Sequence, residues 1–124
     1  GRIMQFYQYG VPLKANTRYR LTFAAYSSSG NDLAAELLKH SSPYSNYGLV
    51  QQFDLSTDWQ TYSVDFTTNG FDGAVDDGRL RFLLYGKNND TYGLDAVSLQ
   101  EIGAITSASY LEAFLSDWHR FFER

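Results

Sequence analysis

"RYRLTFAAY", residues Arg18 to Tyr26, alternates without a break: Tyr19, Leu21, Phe23 and Ala25 fall on one side, Arg20, Thr22, Ala24 and Tyr26 on the other. A helix would scatter those four apolar side chains around its axis, whereas a strand gathers them on one face. The segment is therefore read as a half-buried strand, and the same period recurs around it. "TYSVDFTT" sets Tyr62, Val64 and Phe66 against Ser63, Asp65 and Thr67. "RLRFLLYG" turns Leu80, Phe82 and Leu84 inward and leaves Arg81, Leu83 and Tyr85 outward. "MQFYQYG" buries Met4 and Phe6 and shows Gln5, Tyr7 and Tyr9. "DLAAELLKH" fits a strand or a helix by its own residues, and its neighbours favour the strand. "TYGLDAVSLQEI" closes the series, while "SSPYSNYGL", residues 41 to 49, shows no clear period and reads as a loop.

Turn-forming clusters separate these segments: "LKANTR", "SSSGND", "LSTDW", "TTNGFDGAVDDG" and "GKNND". Short strands with no intervening helix imply an antiparallel β-sandwich or jelly roll. Leu21, Phe23, Trp59, Val64, Phe66, Leu80, Phe82 and Val97 are its expected core.

The pattern changes after Ile102. In "SASYLEAFLSDWHRFFER", Leu111, Phe114, Leu115, Trp118, Phe121 and Phe122 form one stripe at helical spacing. Ser107 or Ser109 is available as an N-cap and Glu112 for a capping box. The expected division is a sandwich over 1–102 and an amphipathic helical tail, or the start of a following domain, over 103–124. Such a stripe packs on the sandwich, on a neighbouring domain or on a second copy.

At 124 residues the chain can bury one sizeable core. Charged residues make up 19% with a formal net charge of −4, and the basic residues are scattered, which argues against nucleic acid as a partner. No apolar run is long enough to span a membrane as a helix. With no cysteine there is no disulfide framework and no thiolate metal site. The aromatic content is high: ten Tyr, nine Phe and two Trp. Rings in that number serve a β-rich core and leave some for the surface.

Three segments carry a family resemblance. Leu13 to Ala25 follows L-x-x-x-T-x-Y-x-L-x-F-x-A, Asp58 to Phe66 follows D-W-x-x-Y-x-V-x-F, and Leu94 to Leu99 follows L-D-x-V-S-L. In order and spacing they resemble carbohydrate-binding modules of the family 4, 9, 16 and 22 group, over roughly residues 4–102. Those modules are galactose-binding-like β-jelly rolls attached to bacterial glycoside hydrolases. The resemblance implies a non-catalytic module, secreted or at the bacterial cell surface, that tethers a covalently attached enzyme to its polysaccharide. The family's N-terminal strand and tryptophan-containing segment have no counterpart before Gly1, and the tail is not part of the usual module. A fragment, a shortened variant and a module joined to another domain are the alternatives. An unpaired sheet edge would then need cover, from the tail or from a partner chain.

A sugar ring has apolar C–H faces and a polar rim, so its site needs flat aromatic platforms ringed by amide, carboxylate or guanidinium groups. In similar modules the strand before L-D-x-V supplies sugar contacts at alternating positions, which carries the role to Leu83 and Tyr85, with Arg81 on the same face. The loop before the tryptophan strand borders the family's groove, and this points to Tyr47 and then to Tyr44, which follows Pro43. The competing reading of "NYG" packs Tyr47 inward and gives Gly48 a positive φ. Gln5, Tyr7 and Tyr9 share a face of the first strand, and Glu36 lines a neighbouring one. The aspartate of L-D-x-V often binds structural calcium in the family, which marks Asp95. The family's second acidic ligand, near the N-terminus, has no counterpart here, and the alternative is an aspartate bonded to its own loop.

Little in the sequence points to catalysis. Glu36, Glu101, Glu112 and Glu123 show no spacing for paired glycosidase carboxylates, and His40 and His119 form no zinc pattern. "NDT" at Asn89 to Thr91 is an N-glycosylation sequon that matters only on a eukaryotic secretory route. The competing class is a structural or interaction domain that has lost sugar binding and docks through its tail as an oligomer or on a partner domain.

Overall fold

In a computed structural model, which describes residues 3–86, 90–103, 112–114 and 119–123, the alternating segments become strands. They are β1 (Ile3–Lys14), β2 (Arg18–Ser27), β3 (Asp32–Lys39), β4 (Asn46–Asp54), β5 (Gln60–Thr67), β6 (Ala74–Leu84), β7 (Tyr92–Glu101), β8 (Glu112–Phe114) and β9 (His119–Glu123). One sheet has the order β4-β3-β6-β1-β9 and the other β5-β2-β7-β8. Every ladder is antiparallel. The chain is an all-β sandwich, and "DLAAELLKH" is a strand within it.

The period of two decides which side of each sheet faces the core. In the four-stranded sheet Leu21 lies opposite Val64 and Leu99, and Phe23 opposite Tyr62. In the five-stranded sheet Phe82 is flanked by Phe6 and Ala35, and Leu80 by Gln8 and Leu37. Leu21, Phe23, Leu33, Leu37, Leu80 and Phe82 are fully buried. The Phe23 ring meets Phe53 edge-on at 5.0 Å, Phe82 at 5.0 Å and Tyr62 at 5.5 Å, which ties both sheets to one aromatic centre. Each such side chain contributes about 1.5–3 kcal/mol by leaving water. Of the expected core, Phe66 is also buried, while Val64 and Val97 are partly buried against it.

Trp59 is not in the core: it is 53% exposed. The reason is parity. Tyr62, Val64 and Phe66 point inward, so an odd-numbered neighbour points outward. The Trp59 ring instead packs edge-on against Tyr26, 4.8 Å away on the outer side of β2. Gly93, opposite Tyr26 in the ladder, makes room: a Cβ there would run into the Tyr26 ring and lie 2.8 Å from Trp59.

The expected helix over 107–123 is not met where the tail is described. β8 pairs with β7, and β9 pairs with β1 from Ile3↔Glu123 to Tyr7↔His119. The free N–H and C=O groups along a sheet edge offer a ladder to any segment that reaches them. Here that long-range pairing overrides the local helical period. The edge of β1 is thus covered by the chain's own tail, as a strand. Ser107, Ser109, Leu111, Leu115 and Trp118 lie outside the described residues, as does Asn89 of the sequon.

Candidate functional site

The outer sides of the two sheets differ in kind. On the four-stranded sheet Arg20 grips Asp65 through two contacts of 2.8 and 3.1 Å, with Thr22 and Ser63 beside them. The Arg20 guanidinium holds the Asp65 carboxyl below its ordinary range. Trp59, though 53% exposed, meets Tyr26 in an edge-to-face contact. That side is largely self-satisfied.

The outer side of the five-stranded sheet collects most of the residues expected to bind. Cross-strand pairing sets them in rows. One row runs Val50, Glu36, Arg81, Tyr7, and the next runs Gln52, Ala34, Leu83, Gln5. Beside the first row, Leu38 faces Arg79. Arg81 donates to one oxygen of Glu36 from Nε (2.9 Å) and Nη2 (2.6 Å), and Nη1 reaches Gln5 Oε1 at 3.4 Å. The pair is about four-fifths shielded. Guanidinium and carboxylate are therefore held rigid and in reach of a ligand's hydroxyls.

The rings stand around this polar centre. Tyr9 (48% exposed) stacks on His40 with centroids 4.3 Å apart and planes 12° from parallel. Tyr7 lies beside both, 6.4 Å from Tyr9 and 6.2 Å from His40. Tyr44 projects from the loop before β4, 54% exposed. Its φ of +59° follows a cis Ser42–Pro43 bond, and its N–H donates to Ser41 O at 2.7 Å. Tyr85 is 39% exposed just beyond the end of β6. Six residues along a strand separate it from Arg79, roughly 20 Å. The exposed rings thus mark both ends of the face, with Arg81 and Glu36 between them.

Three expected contacts are not available. Tyr47 is only 3% exposed, its ring against Phe71 at 4.6 Å and its hydroxyl donating to Asp77 Oδ1 at 2.9 Å. Burial foremost, and the Asp77 carboxylate, push its phenol up to about 12. The physical reason is that Asn46–Asp54 is a strand, not a loop: Tyr47, Leu49 and Phe53 share its inner side. Gly48 accordingly has a φ of +122°, and a Cβ there would strike the carbonyl of Thr67. Leu83 and Gln5 do lie on the outer side, yet both are buried in mid-sheet. Gln5 braces Arg81 and is not on show.

Two residues of this face were not anticipated, Arg79 and His40. "RLR" gave a usable signal, because Arg79 shares the parity of Arg81. His40 continues the parity of Glu36 and Leu38 just past the end of β3.

Asp95 stands exposed on β7, and its Oδ1 accepts the N–H of Ala96 at 2.8 Å. Ala96 takes a φ of +53° at an irregularity of the β2–β7 ladder. Among the described residues no group of three His, Cys, Asp or Glu side chains converges to hold a metal. A single carboxylate already bonded to its own loop does not fit calcium, which takes six to eight oxygens, several of them carboxylate.

Residues 3–91 match the family model described as "Carbohydrate binding domain". A solved structure described as "CBM4 structure and function" is similar, with a TM-score of 0.67 and 25% identity, covering 78% of this chain and 72% of that one. The N-terminal cellulose-binding domain of Cellulomonas fimi β-1,4-glucanase C has a TM-score of 0.63 and 24% identity, covering 82% and 70%. A "Family 16 Carbohydrate Binding Module-2" has 0.55 and 21%, covering 77% and 67%. These last two speak for the fold alone. Among curated proteins, none matches the sequence.

Proposed function

Because the chain belongs to the carbohydrate-binding domain family, we propose that it is a non-catalytic module that lays a polysaccharide across the outer face of its five-stranded sheet. The observation that carries this is the grouping of three exposed rings, Tyr9, Tyr44 and Tyr85, around the fixed Arg81–Glu36 pair. Each ring offers a flat apolar surface to the C–H face of a pyranose, and the ion pair offers donors and an acceptor to its hydroxyls. Exposed rings at both ends of the face suit an internal stretch of chain over a single terminal sugar.

On this reading the sandwich is of the galactose-binding-like jelly-roll kind and acts outside the cell or at its surface. It serves a covalently joined polysaccharide-degrading enzyme by keeping that enzyme close to its substrate. The gain is one of effective concentration, so weak binding at one site is enough.

A glycan array probed with the purified chain, followed by affinity gels with the polysaccharides it selects, tests the reading. Retarded migration that depends on the polysaccharide supports it. No glycan retained, together with a dimer that forms with rising concentration in sedimentation, would replace it with an interaction domain.

A further inference from the structure

Arg79 and Arg81 lie two residues apart on the same side of β6, yet only Arg81 has a counter-ion among the described residues. Arg81 is neutralised by Glu36 at 2.6 Å. Among the described residues Arg79 has no carboxylate partner. Its Nε donates to His40 Nδ1 at 3.0 Å and its Nη2 to His40 O at 3.2 Å. Its guanidinium carbon lies 5.0 Å from the Tyr7 centroid and 5.7 Å from that of Tyr44. A guanidinium has five N–H groups, and two are spent on His40. Among the described residues the other N–H on Nη2 and both on Nη1 have no hydrogen-bond partner. His40 Nδ1 accepts the Arg79 hydrogen bond and so carries no proton in this arrangement.

We propose that Arg79 is an anion subsite of the face, and that the glycan carries a uronate carboxylate which seats on it. This rests on the reading of the face as a glycan site and narrows the ligand to an acidic polysaccharide. The two undirected edges, on Nη1 and Nη2, form the fork that takes both oxygens of a carboxylate. Tyr7, Tyr44 and His40 fix the guanidinium's plane, so little side-chain freedom is lost when the anion arrives. Tyr9, stacked on His40, sets a platform beside that fork. A sugar resting on Tyr9 brings its ring substituent to the charge. The protein's net charge of −4 disfavours approach of an anionic chain generally. The preference therefore comes from contact at this one position, not from long-range steering.

The test is titration calorimetry with oligogalacturonates and glucuronate-bearing oligosaccharides, each against the same oligosaccharide with its carboxyls methyl-esterified. The parent protein should prefer the charged member of a pair by about tenfold or more, the worth of a charge-assisted hydrogen bond. Arg79→Gln should abolish that preference while keeping affinity for the esterified form. Arg79→Lys should retain part of it, since a point charge replaces a planar fork. Melting curves of both variants, and retained binding of a neutral glycan, establish that the sheet is intact. Equal affinity for charged and esterified members, or a preference that survives in Arg79→Gln, overturns the subsite and leaves glycan binding standing. Failure to bind any glycan at all overturns both.

Discussion

Tyr9 and Tyr47 separate binding from folding. Tyr9 stands half exposed on the outer face, so Tyr9→Ala should leave the melting temperature nearly unchanged. It should weaken glycan binding by about 1–3 kcal/mol, the value of an aromatic contact with its buried area. Calorimetry showing unchanged affinity would remove Tyr9 from the site. Tyr47 is the reverse case. Tyr47→Phe deletes one partly shielded hydrogen bond to Asp77 and should cost about 1 kcal/mol in urea denaturation, with binding intact. Its phenol, raised to about 12 in the fold, contributes stability that is full below the ordinary tyrosine value near 10. That contribution is lost as pH rises through 12. The stability gap between parent and Tyr47→Phe should therefore shrink between pH 10 and 12, and a constant gap would contradict the assignment. Tyr7, Tyr9, Glu36, Arg81 and Tyr85 were legible because alternation alone assigns their side. Tyr47 was not, because Ser41 to Asn46 hide where β4 begins. The burial of Gln5 and Leu83 was not legible either, since it depends on neighbouring rows that no single strand reveals.

Period two identified β1, β2, β5, β6 and β7 as strands, and neighbours decided β3. The tail shows where such reading stops: six apolar side chains at helical spacing describe a helix in isolation, but not the open edge of β1 that competes for the same backbone. Deleting residues 112–124 should strip that edge. We expect a lower melting temperature and growth of larger species in size-exclusion chromatography. A truncated chain with the parent's melting temperature and elution volume would show that β8 and β9 add nothing. The β2–β7 ladder offers a second test. Gly93→Ala places a methyl where the Tyr26 ring lies, and overpacking of this kind costs about 1–3 kcal/mol. In a Trp118→Phe background, the fluorescence of Trp59 should shift as Tyr26 is displaced. An unchanged spectrum and stability would mean that the ring pair does not rest on Gly93.

Among the described residues the outer side of the five-stranded sheet gathers three exposed rings, Tyr9, Tyr44 and Tyr85, around a fixed pair of opposite charges, whereas the other side shows Trp59. No group of three acidic or histidine side chains forms around Asp95, on the other sheet, among the described residues, so addition of a chelator should leave the melting temperature unchanged. A drop of several degrees would mean that calcium contributes to the fold. The measurement that tests the assignment of the site most directly is isothermal titration of a glycan selected on the array into four proteins: the parent, Tyr9→Ala, Tyr85→Ala and Trp59→Ala. Binding through the five-stranded face predicts a loss of roughly tenfold or more in Tyr9→Ala and Tyr85→Ala, with parent-like affinity in Trp59→Ala. Full affinity in both tyrosine variants, with binding lost in Trp59→Ala, would place the glycan on the opposite sheet.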